Sequence, residues 1–268
     1  MIRKNEFRKI KIEVENAVNE VFEYAQKNEK NLNDFLLILA NGHLMESLIK
    51  SQHNPYTIDF RGDEMNDELR LNVLLEYVRH SYSFNAENTQ DSQFSLSIEL
   101  MMYTHMWESK PYLKILKKLS DICDKKDYDW NVEVPDMGKH EFIRDIIRAS
   151  FKKHNLKIHE IISNGFHTSL RNAFAHSEYV LSLNEPKFYL LNYKGAGWEL
   201  DGISFDDWTK RFCYTFLLGY HIQEKIHKEK QKLISGNSYI IKHKDKDGTE
   251  KDAEILYDRD KNSFSFKR

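Results

Sequence analysis

The chain is poor in the residues that form tight turns and in those that build covalent or metal frameworks. It has 10 glycines and 4 prolines among 268 residues, about 5% where average proteins have roughly 12%. This scarcity favours long helices over a turn-rich β fold. Its 2 cysteines, Cys123 and Cys213, fall on two different predicted helices. Neither a disulfide framework nor a cysteine metal cluster is therefore predicted, and a reducing cytoplasm fits.

An excess of one charge and long apolar runs are also missing. The formal net charge is −2 at pH 7, so no global field attracts nucleic acid and any RNA affinity must come from a local patch. The longest apolar runs, such as residues 35–40, are far short of the ~20 residues that span a bilayer. Glutamates interrupt the basic N-terminus, unlike a signal peptide. The sequence thus predicts a cytoplasmic protein with no membrane partner.

The most informative stretch of the chain is a helical pattern between about residues 156 and 178. Its period of apolar and small residues predicts one long helix rather than a strand. Arg171 and His176 lie near its C-terminal end, and Asn172 directly follows the arginine. The residues that carry the period are Ile158, Ile161, Ile162, Gly165, Phe166, Ser169, Leu170, Ala173 and Phe174.

The segment from Arg171 to His176 resembles the R-x-x-x-x-H motif of HEPN domains. These are helical modules, many of which are metal-independent ribonucleases of bacterial defence and toxin–antitoxin systems. The spacing alone carries little weight, since a chain of this composition has roughly half of one such match by chance. The placement of Asn172, the long helix and the strand-like aromatic segment after it strengthen the resemblance. The likeness is close over about ten residues and only architectural elsewhere.

The resemblance implies endonucleolytic cleavage of RNA by its own 2′-hydroxyl, leaving a 2′,3′-cyclic phosphate, without metal or cofactor. His176 is the expected general acid and base, because an imidazole populates both protonation states near neutrality. Arg171 is expected to grip the phosphate with its planar set of donors. Asn172 would orient the histidine or the phosphate through its amide. The tyrosine that a partner nucleotidyltransferase modifies in some HEPN proteins is replaced here by Glu178.

Helical geometry separates the two principal residues. At about 100° per residue, Arg171 and His176 point about 140° apart, whereas Asn172 and His176 share a face. One chain does not easily focus both groups on one phosphate, but a twofold dimer through this helix does. Without the family pattern, the sequence favours a buried, hydrogen-bonded histidine beside a solvated arginine.

The remaining sequence predicts a mainly α fold: a HEPN-like helical bundle, a short β-hairpin after the motif helix and a small C-terminal β meander. Residues 1–130 are expected to form the helical N-terminal part of the bundle. Residues 131–235 form the HEPN core and residues 236–268 the meander. Helices are predicted over about residues 5–28, 32–50, 67–82, 92–109, 111–125, 139–153, 156–178 and 205–234, and strands over 179–183, 187–193, 198–203, 238–244, 250–257 and 262–267.

Basic residues upstream of the motif are the candidate RNA contacts. Lys152, Lys153 and Lys157 are expected either to track phosphates or to form a solvated helix face. The expected partners are RNA, a second copy of the chain and an antitoxin or defence-system protein. Two alternatives to the nuclease stay open. One is a non-catalytic HEPN-like module for dimerisation or for RNA or protein binding, and the other is a helical interaction protein in which Arg171 and His176 are structural.

Overall fold

The computed structural model shows a mainly helical protein with small antiparallel sheets, as the low glycine and proline content predicts. It describes residues 2–44, 56–58, 69, 72–73, 76–77, 93–127, 132–244 and 249–267. The helices are α1 (Lys4–Lys27), α2 (Asp34–Leu39), α3 (Gln93–Glu108), α4 (Lys110–Cys123), α5 (Lys139–Glu141, the π-helical Phe142–Arg148 and Ala149–Lys153), α6 (Ile158–Gly165), α7 (Thr168–Ala175) and α8 (Phe205–Lys232). The strands are β1 (His43–Leu44), β2 (Tyr56–Thr57), β3 (Tyr179–Ser182), β4 (Lys187–Leu190), β5 (Gly202–Ser204), β6 (Ser238–Lys244), β7 (Glu250–Asp258) and β8 (Ser263–Phe266).

Helices α1 and α8 pack along each other and α6 packs against α8. The apolar side of α1 is fully buried at Val14 and Val21, as its period of 3.6 requires. The Tyr214 hydroxyl of α8 donates to Glu13 of α1 at 2.8 Å. Buried apolar side chains from α1 to β8 form one continuous cluster, so the C-terminal sheet shares the interior of the helices.

An aromatic cluster fixes the position of α7. The Phe174 ring lies edge-on to Tyr103 of α3, Trp208 of α8 and Phe188 of β4, with centroid separations of 5.9, 5.1 and 5.8 Å. Pairs of this kind contribute about 0.5–1.5 kcal/mol each beyond their buried area. Phe174 therefore anchors α7 to the core, together with the buried Leu170 and Ala173.

The elements after α7 follow local signals in the sequence. β3 and β4 form the predicted hairpin, with Tyr179 opposite Leu190, and β5 is shorter than the predicted strand over residues 198–203. Ser204 opens α8 as its N-terminal cap, with its Oγ accepting from the Asp207 N–H at 3.1 Å, a role that serine favours. The three predicted C-terminal strands are confirmed as the antiparallel sheet β6–β7–β8.

The prediction of one helix over residues 32–50 is wrong. α2 ends at Leu39 and β1 begins at His43. Asn41 has a left-handed φ of 44°, and the Gly42 N–H returns to the Leu37 carbonyl, the arrangement that terminates helices. Residues 45–50 lie outside the described residues, as does most of the predicted helix over residues 67–82.

Candidate functional site

His176 stands at the exposed C-terminal end of α7. It is the C-cap residue, followed by Ser177 with a left-handed φ of 58°. The Glu178 N–H bonds back to the Ala173 carbonyl at 2.7 Å, the closing bond of a Schellman motif. Within the described part of the chain the His176 imidazole forms no hydrogen bond or ion pair. Both ring nitrogens are therefore available to a ligand.

The motif helix is not continuous, so the prediction of one helix over residues 156–178 is wrong. α6 stops at Gly165 and α7 starts at Thr168. Phe166 is extended (φ −94°, ψ 136°), and its ring packs on Trp107 with centroids 5.1 Å apart. His167 then acts as the N-cap, its Nδ1 accepting from the Ser169 N–H at 3.2 Å, while its own N–H donates to the Tyr103 hydroxyl at 3.0 Å. The break turns α7 away from the apolar line of α6.

Arg171 is held in place by two neighbours. Its guanidinium donates to the Glu108 carboxylate through Nε and Nη2, and through Nη1 to Asn172 Oδ1 at 2.8 Å. The Glu108 carboxylate also accepts from Lys139 Nζ at 2.8 Å. The Arg171 side chain is only 16% exposed. Because a guanidinium carries five N–H donors, these contacts leave about two of them free for a phosphate.

Sequence reasoning missed Glu108 and Lys139. Glu108 reaches Arg171 from the last turn of α3, and Lys139 reaches Glu108 from the first turn of α5. No local spacing relates residues that lie so far apart in the chain. The only sequence signal would have been that a half-buried arginine needs a carboxylate partner.

The environments of Arg171 and His176 are the opposite of those expected if both residues were only structural. The histidine, expected in the interior, is exposed, and the arginine, expected in solvent, is half-buried and ion-paired. The interruption at Phe166 removes His176 from the buried side that Ile158 and Ile162 share. The structure brings Arg171 and Asn172 together, but no hydrogen bond joins either side chain to His176, all three being described residues. Asn172 therefore orients the arginine and not the histidine.

The three candidate lysines differ in their surroundings. Lys153 pairs with Asp124 at 3.0 Å, and Lys157 pairs with Glu160 at 3.3 Å. Lys152 has no carboxylate within ion-pair distance among the described residues. It lines a cleft between α5 and α6 instead. Only one of the three is thus uncompensated by neighbouring charge.

Exposed apolar side chains flank the end of α7. Leu191 lies directly beside the motif, since its N–H donates to the Glu178 carbonyl at 2.8 Å, and it is 64% exposed. The same stretch leaves Val180, Tyr193 and Trp198 exposed. Asn192 ties this loop to α7 by donating to the Ser169 carbonyl at 3.0 Å. A rim of apolar surface is therefore anchored next to His176.

Comparisons with known proteins do not assign a role to the site, because no family model, curated protein or solved structure matches the chain. Among the described residues, no three or more His, Cys, Asp or Glu side chains are grouped to hold a metal ion. Over the same residues, no helix combines the length and apolarity needed to cross a membrane.

Proposed function

We propose that the chain is a metal-independent endoribonuclease of the HEPN type, acting in the cytoplasm as a toxin or antiviral-defence effector. One observation carries the proposal. An imidazole that forms no hydrogen bond or ion pair with the described residues lies at an exposed helix end, about one and a half turns from an arginine that is already oriented. Structural histidines are normally hydrogen-bonded, and this one has no partner among the described residues. The resemblance of Arg171–His176 to the HEPN motif supplies the reaction.

In this reaction the 2′-oxygen attacks the adjacent phosphorus and the bond from phosphorus to the 5′-oxygen breaks. One imidazole accepts the 2′-hydroxyl proton, and a second, protonated imidazole donates to the departing 5′-oxygen. The remaining Arg171 donors stabilise the negative charge that gathers on the phosphate. Glu108 and Asn172 hold the guanidinium, so that little rotamer freedom is lost when substrate binds.

A second copy of the chain completes the site. Arg171 and His176 diverge by about 140° on one helix, and a twofold axis near the end of α7 would bring the arginine of one chain towards the histidine of the other. The same axis supplies the two imidazoles that the reaction uses. The exposed Leu191 and Trp198 (64% and 57%) offer the apolar surface that such an interface needs.

The first experiment is cleavage of a mixed RNA pool by the purified protein in EDTA. Metal-independent cleavage, with 2′,3′-cyclic phosphate ends seen by mass spectrometry, is expected for the wild type. Arg171→Ala is expected to lose at least about a hundredfold, as loss of one transition-state donor typically costs. The matched control is Arg8→Ala, which removes an exposed arginine from α1 and should cut like the wild type. Full activity of Arg171→Ala would refute the proposed role.

A second experiment tests the shared site. A ninefold excess of the double variant Arg171→Ala/His176→Ala is exchanged into the wild type, and mixed dimers are verified by mass. If each site takes residues from both chains, wild-type activity should fall to about a tenth, because only wild-type pairs keep complete sites. Undiminished activity in the presence of mixed dimers would place the site within one chain.

The non-catalytic module is the second candidate, and the ion pair between Arg171 and Glu108 favours it. A guanidinium already neutralised by a carboxylate attracts phosphate less than a free one. RNA binding without cleavage in the first experiment would select this candidate. Cleavage that depends on Arg171 would eliminate it.

A further inference from the structure

A polar cleft lies between α5 and α6 and has a volume of about 480 Å³. One wall is formed by Arg144, Arg148 and Lys152 of α5, and the other by His159, Ser163 and Asn164 of α6. The three cations are spaced four residues apart, so they follow one face of the helix. They extend along roughly 12 Å of its axis.

Arg148 is the central cation of this cleft and forms no ion pair with any described residue. No carboxylate lies within ion-pair distance among the described residues, and its one contact is a long hydrogen bond of 3.5 Å from Nη1 to the Ser163 hydroxyl. Burial lowers the pKa of Arg148 and repulsion from Arg144 lowers it further, while the charge of Asp145 offsets these effects only in part. A half-buried guanidinium without a carboxylate gains free energy from any anion that enters.

Two carboxylates also line the cleft, but both are already paired. Asp145 receives two hydrogen bonds from Arg144, at 2.7 and 2.6 Å. Glu160 pairs with Lys157 at 3.3 Å. Arg144 and Lys157 are therefore paired with them, and the charge of Asp145 offsets that of Arg148 only in part. The net charge left facing the cleft is positive.

The composition of the walls selects the ligand. Apart from Ala149 the lining side chains are polar or charged, whereas sites for cofactors and drug-sized ligands are mostly apolar. Cationic donors opposite small hydroxyl and amide groups suit the oxygens of phosphodiesters. Because no Phe, Tyr or Trp side chain lines the cleft, bases have no large stacking platform there and recognition would be mainly by backbone.

The cleft leads towards the motif. Ser163 stands near the end of α6, and Arg211 of α8 caps that end by donating to the Ser163 and Phe166 carbonyls at 3.1 and 3.2 Å. Burial and then the charges of Arg211 and Arg148 lower the pKa of His167 to about 4. His167 begins α7, the helix that carries Arg171.

We propose that this cleft binds the phosphodiester backbone of single-stranded RNA through Arg144, Arg148 and Lys152. The proposal takes its ligand from the nuclease function above, but it concerns residues that take no part in the chemistry. It assigns RNA contact to Lys152 alone among the three lysines that the sequence singled out. Lys153 and Lys157 become structural ion-pair members.

The probe is a fluorescein-labelled 2′-O-methyl oligo(U) of 12 nucleotides, which keeps the phosphates but has no 2′-hydroxyl to attack. Its binding is followed by fluorescence anisotropy between about 50 and 200 mM salt. Each phosphate contact contributes about 0.7 to the slope of log K against log salt on single strands. Arg148→Gln/Lys152→Gln should therefore weaken binding about tenfold or more at low salt and flatten the slope by about 1.4.

The matched controls are Lys153→Gln and Lys157→Gln, which remove exposed lysines of the same segment and should change affinity less than about twofold. Lys152→Gln alone guards against misfolding, because this side chain is exposed. It should account for about half of the change in slope. Equal losses in the controls, or unchanged affinity in the double variant, would overturn the proposal, as would more effective competition by poly-L-glutamate than by oligo(U) at equal charge.

The two proposals fail differently. Probe binding that needs Arg148 and Lys152 in a protein that cuts no RNA would refute the nuclease and keep the cleft. RNA cleavage that the double variant carries out with wild-type kcat/KM would keep the nuclease and refute the cleft.

Discussion

Two of the 12 histidines, His154 and His176, are each the residue just after a helix, but their surroundings differ. His154 Nε2 donates to the Asp124 carboxylate at 2.8 Å, and its Nδ1 lies 3.0 Å from the Tyr24 hydroxyl. Its ring packs beside Tyr24 with centroids 5.4 Å apart. The His176 ring has none of these partners in the described part of the chain.

This difference separates a histidine that stabilises the fold from one that does not. The His154 hydrogen bonds join α1 to the segments after α4 and α5. Both ring nitrogens are therefore engaged in stabilising the fold. His176 contributes nothing comparable, although it occupies a defined helix cap. A polar group positioned without a partner is what a binding or catalytic site presents before its ligand arrives.

The largest expected effect is on RNA cleavage in His176→Ala. Removing a general acid–base group typically lowers the rate about 10²–10⁴-fold. The melting temperature should stay at the wild-type value, because the ring forms no hydrogen bond or ion pair with the described residues. His154→Ala should show the opposite pattern. Its melting temperature should be lower, and its rate of RNA cleavage should be unchanged at temperatures well below that melting temperature. His105→Ala, an exposed histidine on α3, is the neutral control, and unfolding of His176→Ala would show that its role is structural.

The next effect concerns stability at acid pH and the carboxylate that holds His154. Burial alone would raise the pKa of Asp124, but hydrogen bonds from His154, Lys153 and Ser150 outweigh it and lower the pKa to about 2. The folded state thus favours the ionised form. Its stabilisation is present above the unfolded pKa near 4 and is lost as pH falls from about 4 to about 2.

Asp124→Asn should therefore lower the free energy of unfolding by about 2 kcal/mol at pH 7. The difference from the wild type should shrink as pH falls from about 4 to about 2, as measured by urea unfolding. The control is Asp136→Asn, which removes an exposed ion pair with Lys110 and should leave the unfolding midpoint unchanged. A difference independent of pH would show that the charge of Asp124 is not the cause.

Much of the fold could be predicted because it depends on local signals. The apolar period of α1, the Ser204 cap of α8 and the alternation in β3 and β4 each lie within a short window of sequence. The break at Phe166–His167 could not be predicted in this way. It depends on Trp107 and Tyr103, which reach the segment from α3, while the period of apolar residues continues through the break undisturbed.

The candidate site divides in the same manner. Arg171, Asn172 and His176 could be selected because the motif is contiguous, but the exposure of each could not be predicted. That exposure follows from the turn between α6 and α7 and from Glu108. Of the cleft formed by Arg148 and Lys152, the sequence indicated only Lys152, as part of a run of basic residues. The run itself could not show which lysines are neutralised, since Asp124 comes from another part of the chain.

A smaller effect is expected from Glu108→Gln, which tests whether the orientation of Arg171 matters. The amide keeps the shape but removes the charge that attracts both Arg171 and Lys139. We expect kcat/KM for RNA to fall about tenfold. Glu108→Asp, which keeps the charge, should recover part of the loss, and Glu23→Gln, an exposed change on α1, should have no effect. Loss of stability with unaltered kcat/KM would assign Glu108 a purely structural role.

The smallest expected effect is a gain in stability at Ser177, directly after the unpartnered histidine. Its φ of 58° is the left-handed conformation that glycine adopts without penalty. Ser177→Gly should therefore raise the free energy of unfolding by about 0.5–1 kcal/mol, or the melting temperature by roughly 1–4 °C. Ser177→Ala keeps the β-carbon and should give no gain. Because neither change alters the path of the backbone at His176, RNA cleavage should be the same in both variants. A loss of cleavage confined to Ser177→Gly would mean that a strained helix end holds the imidazole in its active orientation.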